Sequence, residues 1–475
     1  MIRSLKNKLA PIHRIPPEVL TLVPDYWGEW KWNKVPDVIP LTHVCRAWRE
    51  MFLSRSSLWT TFYCKNADKT RAYLERSRSS PIELQINRED VLSPHDPLLQ
   101  VIPHATSRLK HLSVRATPKS IDDITIHLSR PAPLLEFLSV DYHRVSGPAS
   151  KSTLPPSLFN GDLSSLRTLH LLHVRTELPW RNMANLTSFV LWGGLPGESP
   201  IGQLLDFFES APSLKSVELI SAIPASGAQS GRLVSLGCLE WMVIQGREPC
   251  PHLLNHLLIP VGATLSIRVT SLATRPEDHL PRPPSNLRNL SNLTRVSLNF
   301  SAFYPELRFT GPNGELSVTF LPPQPDFASP VLEFLAKLDT SGIEQLALYY
   351  ADDVPEDFPQ RAFLHMNNLR IFTLYPHHNS RTLIRALYPD TGSSGAVFFP
   401  KLEELNLVLI DKAFDIKSLA NVARARKLGG AKLKTVRIVD RADGIDPGGV
   451  LKLREHVSDV ECGPGVIIDG GGGVE

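Results

Sequence analysis

The chain is poor in cysteine, balanced in charge and free of long apolar runs. Its five cysteines, Cys45, Cys64, Cys238, Cys250 and Cys462, are odd in number, scattered and form no C-x-x-C pair. That excludes a disulfide framework and a paired-thiol zinc site, and it predicts a reducing compartment. Lysine and arginine total 51 against 48 acidic residues, a net charge of +3. So small an excess predicts no nucleic-acid binding. No run reaches the roughly 18 apolar residues of a membrane-spanning helix, and the basic start MIRSLKNKLAPIHRIPPEV lacks the apolar core of a secretory signal. The expectation is a cytoplasmic or nuclear protein, or both, with no membrane partner.

Catalytic signatures are missing too. No phosphate-binding G-x-x-x-x-G-K-[ST], no G-x-S-x-G and no G-x-G-x-x-G occurs. His252 and His256 stand four apart in HLLNH, but Leu253 occupies the place where a zinc protease needs glutamate. His377 and His378 are adjacent, so their side chains diverge, and Asp352-Asp353 reads as a solvated turn. Cys45, beside Val44, reads as a packed thiol. The chain is therefore expected to be no enzyme, with no catalytic residue, metal or cofactor.

What is present is proline, 41 residues spread along the chain, and a 42% hydrophobic content typical of a folded protein. One hexamer keeps returning, apolar-x-x-apolar-x-apolar. It reads LKHLSV at 109, LEFLSV at 135, LRTLHL at 166, LTSFVL at 186, LKSVEL at 214 and LEWMVI at 239. LTRVSL at 293, IEQLAL at 343, LRIFTL at 369, LEELNL at 402 and LKTVRI at 433 continue it. At this composition ~7% of hexamers match by chance, so the spacing decides. Successive starts lie 26, 31, 20, 28, 25, 54, 50, 26, 33 and 31 residues apart. The two long gaps are near twice the unit and hold degenerate copies at Ile267 and Val269 and at Val318 and Phe320.

A period of about 20–33 residues is that of leucine-rich repeats. The last two apolar residues of each hexamer point inward from a strand, and the polar ones between point outward. Segments 200–214, 330–338 and 380–389 carry helical spacing. The fold class read from this is α/β: an irregular leucine-rich-repeat solenoid over 80–461, a curved parallel sheet with helices and loops outside. Val174, Gly194 and Ala222 stand where an asparagine or cysteine ladder is usual, which predicts irregularity. The helical stretch VLKLREHVSDV is expected to cap the array, and 462–475 to form a flexible glycine-rich tail.

Residues 12–61 do not follow the repeat. Ile15-Pro16-Pro17-Glu18-Val19-Leu20 opens a helix with proline at its start. Ile39, Leu41, Val44, Cys45 and Trp48 recur at helical spacing, and Leu58-Trp59 follows. In IPPEVL, VCRAW and LW this all-α module resembles an F-box, and with the repeats the chain is similar to the F-box-like proteins of mushroom-forming fungi. Ile15 replaces the usual leucine, and Pro24 with the insert DYWGEWKWNKVPD replaces a simpler connection. The resemblance implies a substrate-recognition adaptor of an SCF-type E3 ubiquitin ligase. Its F-box would dock a Skp-type linker subunit of the SCF scaffold, and its repeats would hold an unidentified target protein. Carried to matching positions, the docking face comprises Ile15, Pro16, Val19, Leu20, Val44, Cys45, Trp48 and Trp59. Val44, Trp48 and Trp59 are equally readable as the module's own core. A repeat scaffold with no ubiquitin link is the alternative.

On the repeats, His170, Glu218 and Trp241 fall at outward positions, and Trp192, Tyr349 and Tyr375 just past the third apolar position. These are the anchor candidates of a concave partner-binding face. The competing reading packs each against a neighbouring loop.

Overall fold

The structure is a computed structural model that describes residues 11–20, 22, 38–64, 67–88, 96–142, 153–155, 157–176, 182–193, 200–222, 231–246, 251–270, 280, 286–301, 305–321, 328–349, 355, 358–363, 365–375, 381–388, 399–410, 416–440 and 446–464. The chain forms two compact units, 1–228 and 229–475. Both are mixed α/β and dominated by parallel strand pairing. No described helix is long and apolar enough to cross a membrane.

The first unit begins with the helical module. A 3-10 turn, Pro11–Arg14, leads to the one-turn helix α1 (Pro17–Leu20), and a second 3-10 turn, Pro40–His43, to α2 (Arg46–Ser54). The expected continuous Val-Cys-x-x-Trp helix is broken. Cys45 takes an extended backbone (φ −159°, ψ 172°) and stands just before α2. That break turns Val44 out to solvent while Leu41 and Trp48 still face inward. Leu20, Leu41, Trp48 and Phe52 form the small core, with Cys45, Met51 and Leu58 against its edge.

A strand follows at once. β1 (Thr61–Tyr63), α3 (Ala67–Arg76), β2 (Ile82–Arg88), α4 (Pro97–Ala105), β3 (Leu109–Ala116), α5 (Pro118–Ile126) and β4 (Phe137–Tyr142) alternate along the chain. The two-residue strands β5 (Thr153–Leu154) and β7 (Arg175–Thr176) flank β6 (Thr168–Leu172), and β8 (Ser188–Trp192), α6 (Pro200–Ser210) and β9 (Ser216–Ile220) complete the unit. Its main sheet runs β1-β2-β3-β4-β6-β8-β9, every neighbour parallel. The sheet thus starts about twenty residues before the first expected repeat. Arg108 ties α3 to it, donating to the carbonyls of Leu74 (3.2 Å) and Arg78 and to Ser77 Oγ (3.1 Å).

In the second unit β10 (Val234–Ser235), β11 (Trp241–Gly246), α7 (Pro251–Leu254), β12 (Leu257–Leu258), β13 (Thr264–Val269) and β14 (Arg295–Asn299) come first. They are followed by β15 (Glu306–Gly311), β16 (Gly314–Phe320), α8 (Ala328–Leu335), β17 (Gln345–Tyr349), α9 (Phe358–Ala362), β18 (Ile371–Tyr375) and α10 (Arg381–Ala386). β19 (Glu404–Ile410), α11 (Ile416–Leu428), β20 (Thr435–Asp440), α12 (Pro447–Arg454) and β21 (Asp459–Pro464) end the described chain. The terminal helix is shorter than expected. Val457 and Val460 leave the helical period, and Asp459–Pro464 pair in parallel with β20, so strand structure extends past Cys462.

All eleven hexamers contain a strand, which begins two residues after the leading apolar residue in ten of them and at Leu109 itself in the first. Inward residues such as Leu169, Leu171, Phe372 and Leu374 are fully or nearly fully buried. Each contributes about 1.5–3 kcal/mol. Helices cover this inward face, as the ring contacts Phe189–Phe207 (4.4 Å) and Phe309–Phe334 (6.0 Å) show. A second buried position lies three residues before the hexamer: Ala132, Leu163, Met183, Ala211, Met366 and Phe399. There the amide of the leading leucine closes a turn onto the carbonyl three back, as in Leu186 to Met183 (2.9 Å) and Leu369 to Met366 (3.2 Å). The residue after the leading leucine then bonds its counterpart in the preceding unit, Glu136 to Lys110 and Arg370 to Glu344, both at 2.8 Å. Val174 and Ala222 are buried at the positions where an asparagine ladder would stand.

One region departs from a purely parallel sheet. β14, β15 and β16 form an antiparallel meander, and β16 rather than β14 pairs with β13. β14 pairs in parallel with β17 instead. Val318 and Phe320 therefore belong to the return strand of a hairpin, not to a repeat stacked after β14.

Candidate partner-binding surfaces

The eight candidate residues of the module divide by burial. Val44 is 55% exposed, Val19 50% and Ile15 39%, and Ile12 and Leu22 are exposed beside them in sequence. Pro16 is exposed and Cys45 half-buried. Leu20 and Trp48 are buried, and Trp59 is wholly enclosed. Trp59 Nε1 donates to the Phe52 carbonyl (2.9 Å), its ring meets Tyr73 edge-on (5.0 Å), and the Arg76 guanidinium lies 4.3 Å from its centre. The two tryptophans thus belong to the interior, and the aliphatic residues are what the module exposes. Trp48 Nε1 is buried without a hydrogen-bond partner.

The outward face of the first unit's sheet carries a chain of rings. Phe137 contacts His111 (5.6 Å) and His170 (5.3 Å), strand to strand. His111 Nδ1 lies 3.4 Å from Glu83. Beside them Asp141 is shared by Arg115 (3.4 Å) and His173 (3.3 Å), and the His173 ring packs on Trp192 (4.7 Å). Trp192 is 39% exposed. His173 holds a left-handed backbone (φ 60°), a strained conformation for a residue with a Cβ. Glu218 is half-buried in the same register row as His170. Sequence reasoning found His170, Glu218 and Trp192. It missed Phe137, Asp141 and His173, although Phe137 sits at an outward hexamer position where a large aromatic is itself a signal.

Burial holds the His170 imidazole below its ordinary value of 6.5, because the charged ring loses hydration there. The unfolded chain therefore takes up the proton first as pH falls. Stability tied to neutral His170 is complete above about pH 6.5 and is lost as pH drops toward the depressed folded value. The first unit's denaturant midpoint is expected to fall between about pH 7 and 5 more steeply in the parent than in His170→Gln. Equal slopes would place His170 in open solvent.

The outward face of the second unit is lined by paired charges. Arg308 meets Glu306 (3.1 Å) and Glu315 (3.6 Å), and Ser317 Oγ donates to Glu306 (2.8 Å). Arg437 joins Glu404 and Glu461. Glu403 takes Arg370 (3.1 Å) and Lys434 (2.7 Å), which hold its carboxyl below the usual range. Tyr349 and Tyr375 stack with ring centres 4.1 Å apart. Burial first, and the contact with Tyr375 second, push the Tyr349 phenol up. Trp241 is 37% exposed on β11. A groove of about 340 Å³ runs along the strand starts, its walls including Glu344, Arg370, Ile371, Glu403, Glu404 and Lys434.

α7 ends at Leu254, so His252 and His256 share no helix, and His256 Nδ1 pairs with the Arg232 carbonyl (2.9 Å). Burial pushes the Cys64 thiol up to about 12, which makes it inert. Asp352, Asp353, His377, His378, Cys250 and the insert after Pro24 lie outside the described residues. No family model matches this chain, and no curated protein matches it.

Proposed function

We propose that this chain is a substrate-recognition adaptor of an SCF-type E3 ubiquitin ligase. In this reading 12–61 is an F-box-like module that docks a Skp-type linker, and the strand-and-helix units are leucine-rich repeats that hold a target protein. The observation that carries it is the split of burial in the module. Trp48, Phe52 and Trp59 close its interior, while Ile12, Ile15, Val19, Leu22 and Val44 remain in solvent. Aliphatic side chains concentrated in so short a segment favour a protein partner.

The test is co-purification of the full chain with a Skp-type linker, comparing the parent with a Val19→Glu, Val44→Glu double variant. Both positions are exposed, so circular dichroism is expected to be unchanged. Two charges placed in an apolar contact are expected to weaken linker binding by at least about a hundredfold. A folded parent that binds no linker removes the ubiquitin link and leaves a repeat scaffold. One observation favours that second reading: Trp59 packs the module onto α3 through Tyr73 and Arg76, as an end cap of the first sheet does.

A further inference from the structure

We propose that the outer face of α11 and α12 docks on an anionic membrane surface, its leucines entering the interface and its cations meeting the lipid headgroups. The proposal stands apart from the adaptor reading. The lack of a spanning run has no bearing on it, since peripheral contact needs only an exposed basic and apolar helical face.

The two helices lie side by side and parallel. Gly449 backs onto Ile416, where an added Cβ would lie 2.9 Å from Cγ2, and Lys417 reaches Asp446 at the start of α12 (3.6 Å). At the far end Lys427 Nζ donates to the Glu455 carbonyl (3.1 Å). Leu419, Val422, Ala423 and Leu453 turn inward. Lys417, Asn421, Arg424 and Leu428 are exposed and follow one helical stripe, and Leu451, Lys452 and Arg454 are exposed on α12.

Two independent observations meet on this face. The first is apolar. Leu428 is 80% exposed, more than any other large apolar side chain among the described residues, and Leu451 is 64% exposed. The second is charge. Among the described residues no carboxylate pairs with Arg424, Lys452 or Arg454. Lys427 and Lys432 bond only neutral oxygens, the Glu455 carbonyl and Ser458 Oγ (2.8 Å). Against these five cations stand the exposed carboxylates of Glu455 and Asp459, since Asp446 is held by Lys417. The polar sheet face differs: there Arg437 is matched by Glu404 and Glu461. An acidic polypeptide or a nucleic acid would answer the cations and leave both leucines in water. An anionic bilayer answers both features at once.

Sedimentation of the full chain with vesicles of phosphatidylcholine, alone or with about one-third phosphatidylserine, gives the test. Binding to the phosphatidylserine vesicles is expected to be at least about tenfold stronger. Arg424→Glu with Lys452→Glu is expected to weaken it by about thirtyfold or more. Leu428→Ser with Leu451→Ser leaves the charge intact and is expected to weaken it by about tenfold. All four positions are exposed, so the urea midpoint is expected to stay at the parent's value. Arg288→Glu with Arg295→Glu makes the same charge change on and before β14, with β17, β18 and β19 between it and β20. At about 4.8 Å per strand that exceeds a Debye length of about 8 Å, so a change below about threefold is expected. No preference for phosphatidylserine overturns the proposal, as does an equal loss in the β14 pair. Unchanged binding in either helix variant overturns it too. A polyglutamate peptide or a DNA duplex that binds as tightly as the vesicles, and equally well to the leucine variant, would replace the membrane as occupant.

Discussion

Trp59→Ala is expected to destabilise the first unit by about 5–7 kcal/mol, enough to unfold much of it at ordinary temperature. Three losses combine. The enclosed indole leaves a cavity whose cost for a tryptophan is about 3–5 kcal/mol. The Phe52 carbonyl loses its donor at 2.9 Å, and the Arg76 guanidinium loses the ring 4.3 Å away; each is worth about 1 kcal/mol. Trp59→Phe keeps the edge contact with Tyr73 and forfeits the indole donor and part of the volume, for about 2 kcal/mol. Trp48→Ala, whose Nε1 bonds nothing, loses packing alone, about 3 kcal/mol. Urea unfolding of the three variants ranks them. A Trp59→Ala protein as stable as the parent would mean that Trp59 lies on a surface, and the docking face would then have to include it.

That ranking bears on how linker binding is tested. Replacing Trp48 or Trp59 removes binding by removing the module, whatever the module does. Val19 and Val44 are better probes because they can change sign and polarity without entering the core. The residues that carry the F-box-like pattern in the sequence are thus divided between the module's interior and its exposed surface. Short helices make that division hard to read from spacing. α1 has one turn, and a single extended residue, Cys45, shifts the phase between Leu41 and Trp48.

The strands were far more legible. Each hexamer holds two inward residues two apart after a turn, and only an extended segment buries both. The regular spacing then implies parallel neighbours, which the register of Leu112, Leu138, Leu169, Phe189 and Val217 bears out. The turn position three residues earlier escaped notice because it accepts alanine, methionine, phenylalanine and even Thr340, so no residue type marks it. The ring chain on the first face was half visible: His170 and Trp192 stood out, while Asp141 and His173 acquire meaning only when strands align them. The meander was hidden for a different reason. A gap of 50 residues between LTRVSL and IEQLAL equals two ordinary units, so the length suggested another repeat. The local signal was GPNG between two alternating apolar runs, LRF and LSVTF, a hairpin signature.

That hairpin supplies the other large effect. Gly314→Ala is expected to cost the second unit about 3–5 kcal/mol. Gly314 sits at φ +139°, and a Cβ there would lie 2.5 Å from the Ala263 carbonyl oxygen and 2.8 Å from Asn289 Cβ. The first cost is backbone strain, about 1–3 kcal/mol. The second is displacement of the turn Pro312-Asn313, which cannot be absorbed locally because its neighbours are backbone. Gly262→Ala separates the two: its φ is +91°, but nothing lies within 4 Å of the added Cβ, so it is expected to cost about 1 kcal/mol. Moving the turn disturbs both edges of the meander, since β16 pairs with β13 and β14 with β17. Amide exchange over 306–320 is therefore expected to accelerate strongly in Gly314→Ala and little in Gly262→Ala. The same shift pulls Glu315 from Arg308, 3.6 Å apart, and leaves Glu306 as the carboxylate that holds the cation. Equal exchange in the two variants would mean that the turn is free of Ala263 and Asn289, and the meander would then be an appendage of the sheet rather than its joint.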